Sequence, residues 1–388
     1  KEERHMMMFH DANRRSSRIA VRILVVLLIM AGGIGIAGRG QISSSELADI
    51  RTVLDSAQST RATAAASADF AQGTTHANDF STAITATRQA VANYDELAKD
   101  QNIARLTSDS PFARFGLTPR STLLNTVDRL NTAANAMQTQ TAALIDAMET
   151  GFANDFRTDG GHWMVQVDDP ATINELVSRY GKQRSYQTLR EHLDDLKTLY
   201  GLEQQVRQQV TASIANLHTG EASAAQIAVP AEANAMDAAG WLGTARSVAS
   251  TLGVQVRQTS VYGCSGADNG GDNDNDLVIG FFCVGEQANR NEVNMLVTHP
   301  EWPMVESSPL LVDYTKHELA HRSIMIVCGT TEPTIAANRT EAVTNSYAVQ
   351  FLGASRERIA DSQQGLAAYA MDAQSDQIAQ SIHSGTCA

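Results

Sequence analysis

His317, Glu318 and His321 are the residues of this chain whose types and spacing most clearly allow chemistry. They lie in the run His317-Glu-Leu-Ala-His321, and residues four apart on a helix share one face. The two imidazoles can therefore offer nitrogen ligands to one metal ion. Glu318 lies beside the first histidine, where its carboxylate can take a proton from a water molecule at the metal. The pattern predicts metal-assisted hydrolysis, and the alternative is a chance match among ordinary surface residues.

A hydrolytic zinc site needs a third protein ligand and one open position. Two glutamates downstream are candidates. Glu332 lies in a turn-like segment directly after the motif and would have to fold back sharply. Glu341 opens a second apolar-periodic segment that ends at Gly353, and a helix there can aim its first-turn carboxylate at the histidines. We therefore expect Glu341 to be the third ligand.

His317-Glu318-x-x-His321 followed by Glu341 resembles the gluzincin class of zinc metallopeptidases over about residues 310–353. The resemblance implies that His317, His321 and Glu341 hold Zn²⁺ and that Glu318 is the general base. In that class an aspartate commonly lies one turn after the ligand glutamate and orients the first histidine. This chain has Asn345 there, which can accept an imidazole N–H bond but carries no charge. An inactive peptidase-like site therefore stays open as an alternative.

The resemblance also implies a hydrogen-bond donor for the oxyanion, usually a tyrosine or histidine outside the motif. Tyr347, His299 and His383 are the candidates. We prefer Tyr347 as a catalytic residue because it lies near Glu341, although its spacing from Glu341 points it to a different helix face.

The elements that must position these residues can be read from the flanks. Ser307 or Ser308 can cap a motif helix that begins near Pro309 and stops at Gly329. Residues 254–256, 260–262 and 277–282 are typical of strands, which would form a small sheet beside that helix. The aspartate-rich run at 268–276 lacks the glycine and glutamate of a calcium loop, which favours a solvated hairpin loop.

All four cysteines lie in the C-terminal third of the chain. Outside the cytoplasm they would be expected to pair, and four cysteines allow three connectivities. We expect Cys264–Cys283 to bridge a hairpin-like segment and Cys328–Cys387 to tie the chain end to the motif helix.

Residues 19–38 are apolar except for Arg22, and Arg14, Arg15 and Arg18 precede them. Their length is sufficient to cross a bilayer, and the arginines predict a cytoplasmic N-terminus at residues 1–18. We expect a single-pass protein of the cell membrane with the rest of the chain outside the cytoplasm. A cleaved signal peptide is the competing interpretation.

Residues 39–230 are polar, alanine-rich and helical in pattern. One stretch has the alternating four-three spacing of a coiled-coil seam, namely Leu123, Val127, Leu130, Ala134, Met137, Thr141, Leu144 and Met148. Long helices are expected at 43–99 and 186–217, with breaks at 111–119 and 158–161, and a further helix at 231–252. The pattern predicts an extracytoplasmic helical bundle, which serves either as a stalk or as a docking surface for a protein partner.

The formal net charge of −13 argues against nucleic acid as a partner. The predicted fold class is mainly α, with an N-terminal transmembrane helix, a helical bundle or coiled-coil stalk, and an α+β zincin-like metallopeptidase domain at 231–388. The predicted function is a membrane-anchored zinc peptidase that acts on a peptide or protein substrate. Two alternatives stay open: a structural or interaction subunit with an inactive peptidase-like domain, and a hydrolase of cell-wall peptide cross-links.

Overall fold

The computed structural model of this protein describes residues 42–108, 118–167, 169–182, 184–263, 279–284 and 290–388. The described chain is mainly helical and includes a small sheet of three strands. It divides into two compact units. The described part of the first unit comprises residues 42–108, 118–158, 176–182 and 184–203, and that of the second comprises 159–167, 169–175, 204–263, 279–284 and 290–388. Within the described residues the sequence predicts one boundary, between residues 230 and 231.

Long helices make up the described chain before residue 226. They are Ser44–Gln72 (α1), Ser81–Ala98 (α2), Gln101–Thr107 (α3), Arg120–Gln166 (α4), Ala171–Tyr180 (α5) and Leu189–Ala225 (α6). The chain between α1 and α2 turns at Gly73, so the single helix predicted over 43–99 is wrong. Arg61 of α1 and Asp95 of α2 then form a two-pronged ion pair with distances of 2.6 and 2.8 Å. Helix α4 runs without interruption through 158–161, where a break was expected.

The predicted seam forms part of the core of the first unit. Each of its eight side chains is buried: Leu123, Val127, Leu130, Ala134, Met137, Thr141, Leu144 and Met148. Thr141 is the polar member, and its hydroxyl donates to the Met137 carbonyl one turn earlier. The heptad pattern thus identified the buried stripe because residues three and four apart share a helix face.

The second unit holds the sheet and the motif. Its further elements are Ala238–Ser250 (α7), Gln255–Thr259 (β1), Gly280–Phe282 (β2), Glu292–Leu296 (β3), Trp302–Glu306 (α8), Leu310–Cys328 (α9), Thr340–Leu352 (α10), Arg356–Ser362 (α11) and Ala373–His383 (α12). Short 3₁₀ turns lie at Ala233–Ala235, Thr334–Ala336 and Ala367–Tyr369. The helix expected over 231–252 is therefore shorter, and it begins where Asp237 caps α7.

The strand order is β1-β3-β2, which leaves β2 at one edge of the described sheet. β1 pairs with β3 in parallel, and β2 pairs with β3 in antiparallel, with Phe281 opposite Asn294. Strand β3 was not predicted, and the strand predicted over 260–262 is wrong, because β1 ends at Thr259. The aspartate-rich run at 268–276 lies outside the described residues.

Helix α9 carries the motif and is buried on nearly every face. Charged residues within it must therefore be paired. Asp313 accepts two bonds from Arg358, at 2.5 and 3.1 Å, and Lys316 donates to the Gly353 carbonyl at 2.8 Å. Gly329 ends the helix as expected, with φ of +72°. A side chain there would also collide with His162, whose Cβ would lie 2.4 Å away. The N-terminus differs from expectation, since neither serine caps it.

The predicted membrane-spanning architecture is corrected by this structure. Among the described residues no helix is both long and apolar enough to cross a bilayer. The longest helices have 47 and 37 residues. Their sequences are polar with an apolar stripe, whereas a membrane-spanning helix is apolar on every face. The segments that carried the prediction, residues 1–18 and 19–38, lie outside the described residues.

Candidate metal centre

Helix α9 brings His317 and His321 together one turn apart. Their ring centroids are 4.8 Å apart and the ring planes are 88° apart. Their Nε2 atoms face each other at 3.2 Å. Two rings at right angles can direct their in-plane lone pairs at one point between them, so this pair is arranged as ligands of a single ion.

Helix α10 supplies the third group from its first turn. Glu341 Oε2 lies 3.1 Å from His317 Nε2 and 3.4 Å from His321 Nε2. Tetrahedral ligands about 2.05 Å from zinc lie about 3.3 Å from one another, so the three atoms fit such an ion. Glu332, the other candidate, is exposed in the turn after α9. We call His317, His321 and Glu341 the first cluster.

Asn345 lies one turn after Glu341 and fixes the state of the first imidazole. Its Nδ2 donates to Gln363 Oε1 at 2.7 Å and to the Tyr369 backbone carbonyl at 3.0 Å. A carbonyl can only accept, so the amide orientation is determined and Oδ1 faces His317 Nδ1 at 2.7 Å. Nδ1 must then carry a proton, which leaves the Nε2 lone pair free for a metal.

Thr344 has the same effect on the second imidazole. Its hydroxyl donates to the Thr340 carbonyl at 2.9 Å, which leaves an oxygen lone pair facing His321 Nδ1 at 3.4 Å. Both rings therefore direct Nε2 at the carboxylate of Glu341. With Nε2 unprotonated on both rings, three acceptors would face one another at 3.1–3.4 Å, an arrangement that positive charge among them, from a proton or a metal ion, relieves.

The electrostatics of the first cluster agree with that interpretation. Burial by itself raises the pKa of Glu341, but the hydrogen bonds and charges of the two histidines outweigh it and hold the pKa well below its usual range. Burial lowers the pKa of His317, and the two nearby glutamates overcome this effect and raise it to about 9. The cluster is thus arranged to hold a cation or a proton. The side chains of Glu341 and His321 are 31% and 15% exposed, so solvent reaches it from their side.

The side chain of Glu318 extends from the motif helix toward the edge strand β2. It is buried, and burial raises its pKa while the charges of the two histidines limit the rise. The Phe282 amide hydrogen-bonds its carboxylate. Gly280 lies directly beside it: a Cβ at that position would lie 3.0 Å from Glu318 Cγ, so a larger residue would require Glu318 to shift. Strand β2 therefore borders the candidate base directly.

Tyr369 is a site residue that the sequence did not identify. Its ring lies 6.1 Å from that of His317, measured between centroids. Burial and the charges of Glu341 and Glu318 raise the pKa of its hydroxyl, which stays protonated at neutral pH. It lies in a 3₁₀ turn after α11, in a segment with no motif. A lone tyrosine among small residues was the only signal in the sequence.

The three predicted oxyanion donors lie elsewhere. Tyr347 is fully buried, and its hydroxyl donates to Glu221 Oε1 at 2.8 Å, so its assignment to the first cluster is corrected. Positions 341 and 347 are six residues apart, which places them on different faces of α10. His383 also pairs with Glu221, at 3.2 Å, and His299 Nδ1 accepts from the Glu301 amide.

The disulfide from Cys328 to Cys387 is present, with a Cα–Cα distance of 5.6 Å. It joins the last residue of α9 to the chain end, as predicted. Cys283 is also disulfide-bonded. Its predicted partner, Cys264, lies outside the described residues.

Two further groups in the described chain have metal-ligand composition. His218, Glu221 and His383, which we call the second cluster, lie in the second unit. Asp146, Glu149 and His192 lie in the first unit. In the latter, Arg184 lies 3.2 Å from Glu149, so a cation of the protein already neutralises the carboxylate.

Comparison with known proteins adds no relative: no protein-family model, no curated protein and no solved structure matches this chain. The gluzincin resemblance therefore stays a prediction, supported by the residues of the first cluster.

Proposed function

We propose that this protein is a zinc-dependent peptidase whose metal is held by His317, His321 and Glu341. The observation that carries the proposal is the convergence of two imidazole nitrogens and one carboxylate oxygen at 3.1–3.4 Å, with Asn345 and Thr344 each facing the Nδ1 of one ring. Two imidazoles and one carboxylate are a set that zinc hydrolases use, and the exposed side of the cluster gives access for substrate.

When bound, zinc supplies a Lewis acid that polarises a carbonyl and lowers the pKa of a water molecule. Glu318 is the proton carrier: its carboxylate takes a proton from the attacking water and delivers it to the leaving amine. Its raised pKa supports this role, because a base closer to neutrality both accepts and returns a proton. The Phe282 amide holds its carboxylate in place.

Tyr369 is the donor that we assign to the oxyanion in place of Tyr347. Its hydroxyl keeps its proton at neutral pH, and its ring neighbours that of His317. The bond from Asn345 to the Tyr369 carbonyl ties the turn that carries this ring to the helix that carries Glu341. One amide side chain therefore orients a ligand and the proposed donor together.

An extended peptide is the substrate class that fits this site. β2 is an edge strand in the described sheet, and such an edge can add a further strand through backbone hydrogen bonds. Because β2 borders Glu318, a chain paired with this edge would pass the proposed base.

The test compares wild type with Glu318→Gln for zinc content and for hydrolysis of a peptide library. Wild type should bind zinc at the first cluster and cleave peptides. Glu318→Gln should keep the metal and lose activity by about 10²–10⁴-fold. Glu306→Gln, in the short helix before α9, is a matched control that should change neither. Zinc bound without cleavage of any peptide would instead support the interaction-subunit alternative, and a wild type that binds no zinc would refute the site.

A further inference from the structure

The second cluster gathers two histidines and a glutamate around a buried charge. His218 and Glu221 lie on one face of α6, three residues apart, and His383 is the last residue of α12. Their ligand atoms all lie within 4.8 Å of one another. The metal motif of α9 includes none of them, and the proposed peptidase mechanism does not use them.

Glu221 is the residue that calls for an explanation. It is 1% exposed, and one carboxylate oxygen accepts from Tyr347 at 2.8 Å. The other oxygen, Oε2, lies 3.2 Å from His383 Nε2 without a hydrogen bond of good geometry, and the buried Nε2 of His218 has no hydrogen-bond partner among the described residues. A buried carboxylate oxygen that accepts no hydrogen bond is costly unless positive charge lies beside it.

We propose that His218, Glu221 and His383 form a second site for a divalent ion of the zinc class. Two neutral imidazoles and one carboxylate suit such an ion better than calcium or magnesium, which prefer all-oxygen ligands. Glu221 Oε2 lies 3.2 Å from His383 Nε2, a separation typical of atoms that share one small ion. The Tyr347 hydroxyl donates the outer hydrogen bond that orients the Glu221 carboxylate.

Binding requires a rearrangement of His383. Its ring is stacked between Phe351, at 3.8 Å, and His218, at 3.9 Å with planes 21° apart. Parallel rings direct their in-plane lone pairs side by side, so both histidines cannot ligate one ion until His383 turns out of the stack. Its side chain is 27% exposed, so part of the ring is not packed against the protein.

The proposed site is structural rather than catalytic. It would join α6 to the C-terminal helix α12 and, through Tyr347, to helix α10, which also carries Glu341. An ion that binds only the folded chain stabilises that chain by mass action. Occupancy of the second cluster should therefore raise the melting temperature without altering which peptides are cleaved.

The test is zinc titration of the full chain, stripped of metal, against a chromophoric chelator. Wild type should bind two equivalents, and Glu221→Gln and Glu341→Gln one each. The double variant should bind none tightly. Ser223→Ala, an exposed change two residues along α6, is the matched control and should keep two. One equivalent in wild type that Glu341→Gln abolishes would overturn the second site, and so would two equivalents in Glu221→Gln.

A measurement independent of Glu221 guards against misfolding of that variant. In Glu341→Gln protein, added zinc should raise the melting temperature, and cobalt should give one visible absorption band set from the remaining site. His218→Ala introduced into that protein should remove both effects. Persistence of both effects after loss of His218 would refute the assignment. Because each cluster is disabled separately, failure here and failure of the peptidase proposal are distinguishable.

Discussion

The first and second clusters have the same composition and opposite geometry. Each contains two histidines and one glutamate from helices of the second unit. In the first, the rings are 88° apart and both nitrogens face the carboxylate. In the second, the rings are 21° apart and stacked, and Oε2 of Glu221 lies 3.2 Å from His383 Nε2. Composition alone therefore does not separate a formed site from one that must rearrange; ring orientation and tautomer do.

The outer hydrogen bonds explain the difference. Asn345 and Thr344 each face an Nδ1 in the first cluster, so both rings are held with Nε2 inward. In the second cluster the outer bond goes to the carboxylate, from Tyr347, while the rings are held by stacking. A site in which the imidazoles are locked is ready for its ion, whereas one in which only the carboxylate is locked binds at the cost of breaking a stack.

Loss of the carboxylate ligand should have the largest effect. Glu341→Gln should weaken zinc binding at the first cluster by more than the about 10–100-fold that an outer hydrogen bond is worth, and should abolish peptide hydrolysis. Competition with a chelator of known affinity measures this. Glu332→Gln, an exposed position, is the control and should leave the affinity as it is. Wild-type affinity in Glu341→Gln would remove Glu341 from the site.

Substitutions of Tyr369 and Tyr347 should have different effects on kcat. Tyr369→Phe should lower kcat by about 10²–10³-fold, the usual loss for an oxyanion donor, without changing zinc content. Tyr347→Phe should leave kcat unchanged, because its hydroxyl bonds Glu221. Steady-state kinetics on one peptide decides between them. The reverse outcome would return the oxyanion role to Tyr347.

Replacement of Asn345 by aspartate, the residue common at this place in gluzincins, should destabilise the protein. Asn345→Ala should weaken zinc binding by about 10–100-fold, because His317 loses the partner that sets its tautomer. Asn345→Asp keeps an acceptor for His317 but places a carboxylate oxygen against Gln363 and the Tyr369 carbonyl. It should therefore lose about 1–3 kcal/mol in the free energy of unfolding, measured by urea denaturation of metal-free protein. An Asp variant as stable as wild type would show that the amide donors are dispensable.

An effect confined to stability should come from the second cluster. Tyr347→Phe leaves a buried Glu221 oxygen without its donor and should cost about 1–3 kcal/mol in the free energy of unfolding. Urea denaturation at a fixed metal concentration measures this. Tyr314→Phe, a nearly buried tyrosine of α9, serves to gauge the cost of losing a hydroxyl elsewhere. No loss in the Tyr347 variant would mean that Glu221 is not constrained by it.

Sequence patterns within one helix correctly predicted which residues of that helix are buried and where the helix ends. The seam of α4 is buried as its four-three spacing requires, and both site helices end at glycines with left-handed φ, at Gly329 and Gly353. The disulfide at Cys328 was also predicted. Strand β3 was missed because its five residues do not alternate throughout between apolar and polar, and its pairing with β1, more than 30 residues earlier, is not a local property of the sequence.

The pairing of His317 with His321 follows from the sequence, because residues four apart share a helix face whatever surrounds them, and so does the place of Glu341 in the first turn of the following helix. The remaining contacts of the site depend on how the helices pack. That packing turned Tyr347 toward Glu221, brought Tyr369 beside His317 and assembled the second cluster from two helices distant in the chain. The physical reason is that helix periodicity fixes neighbours within one element, whereas which faces meet depends on the packing of the whole core.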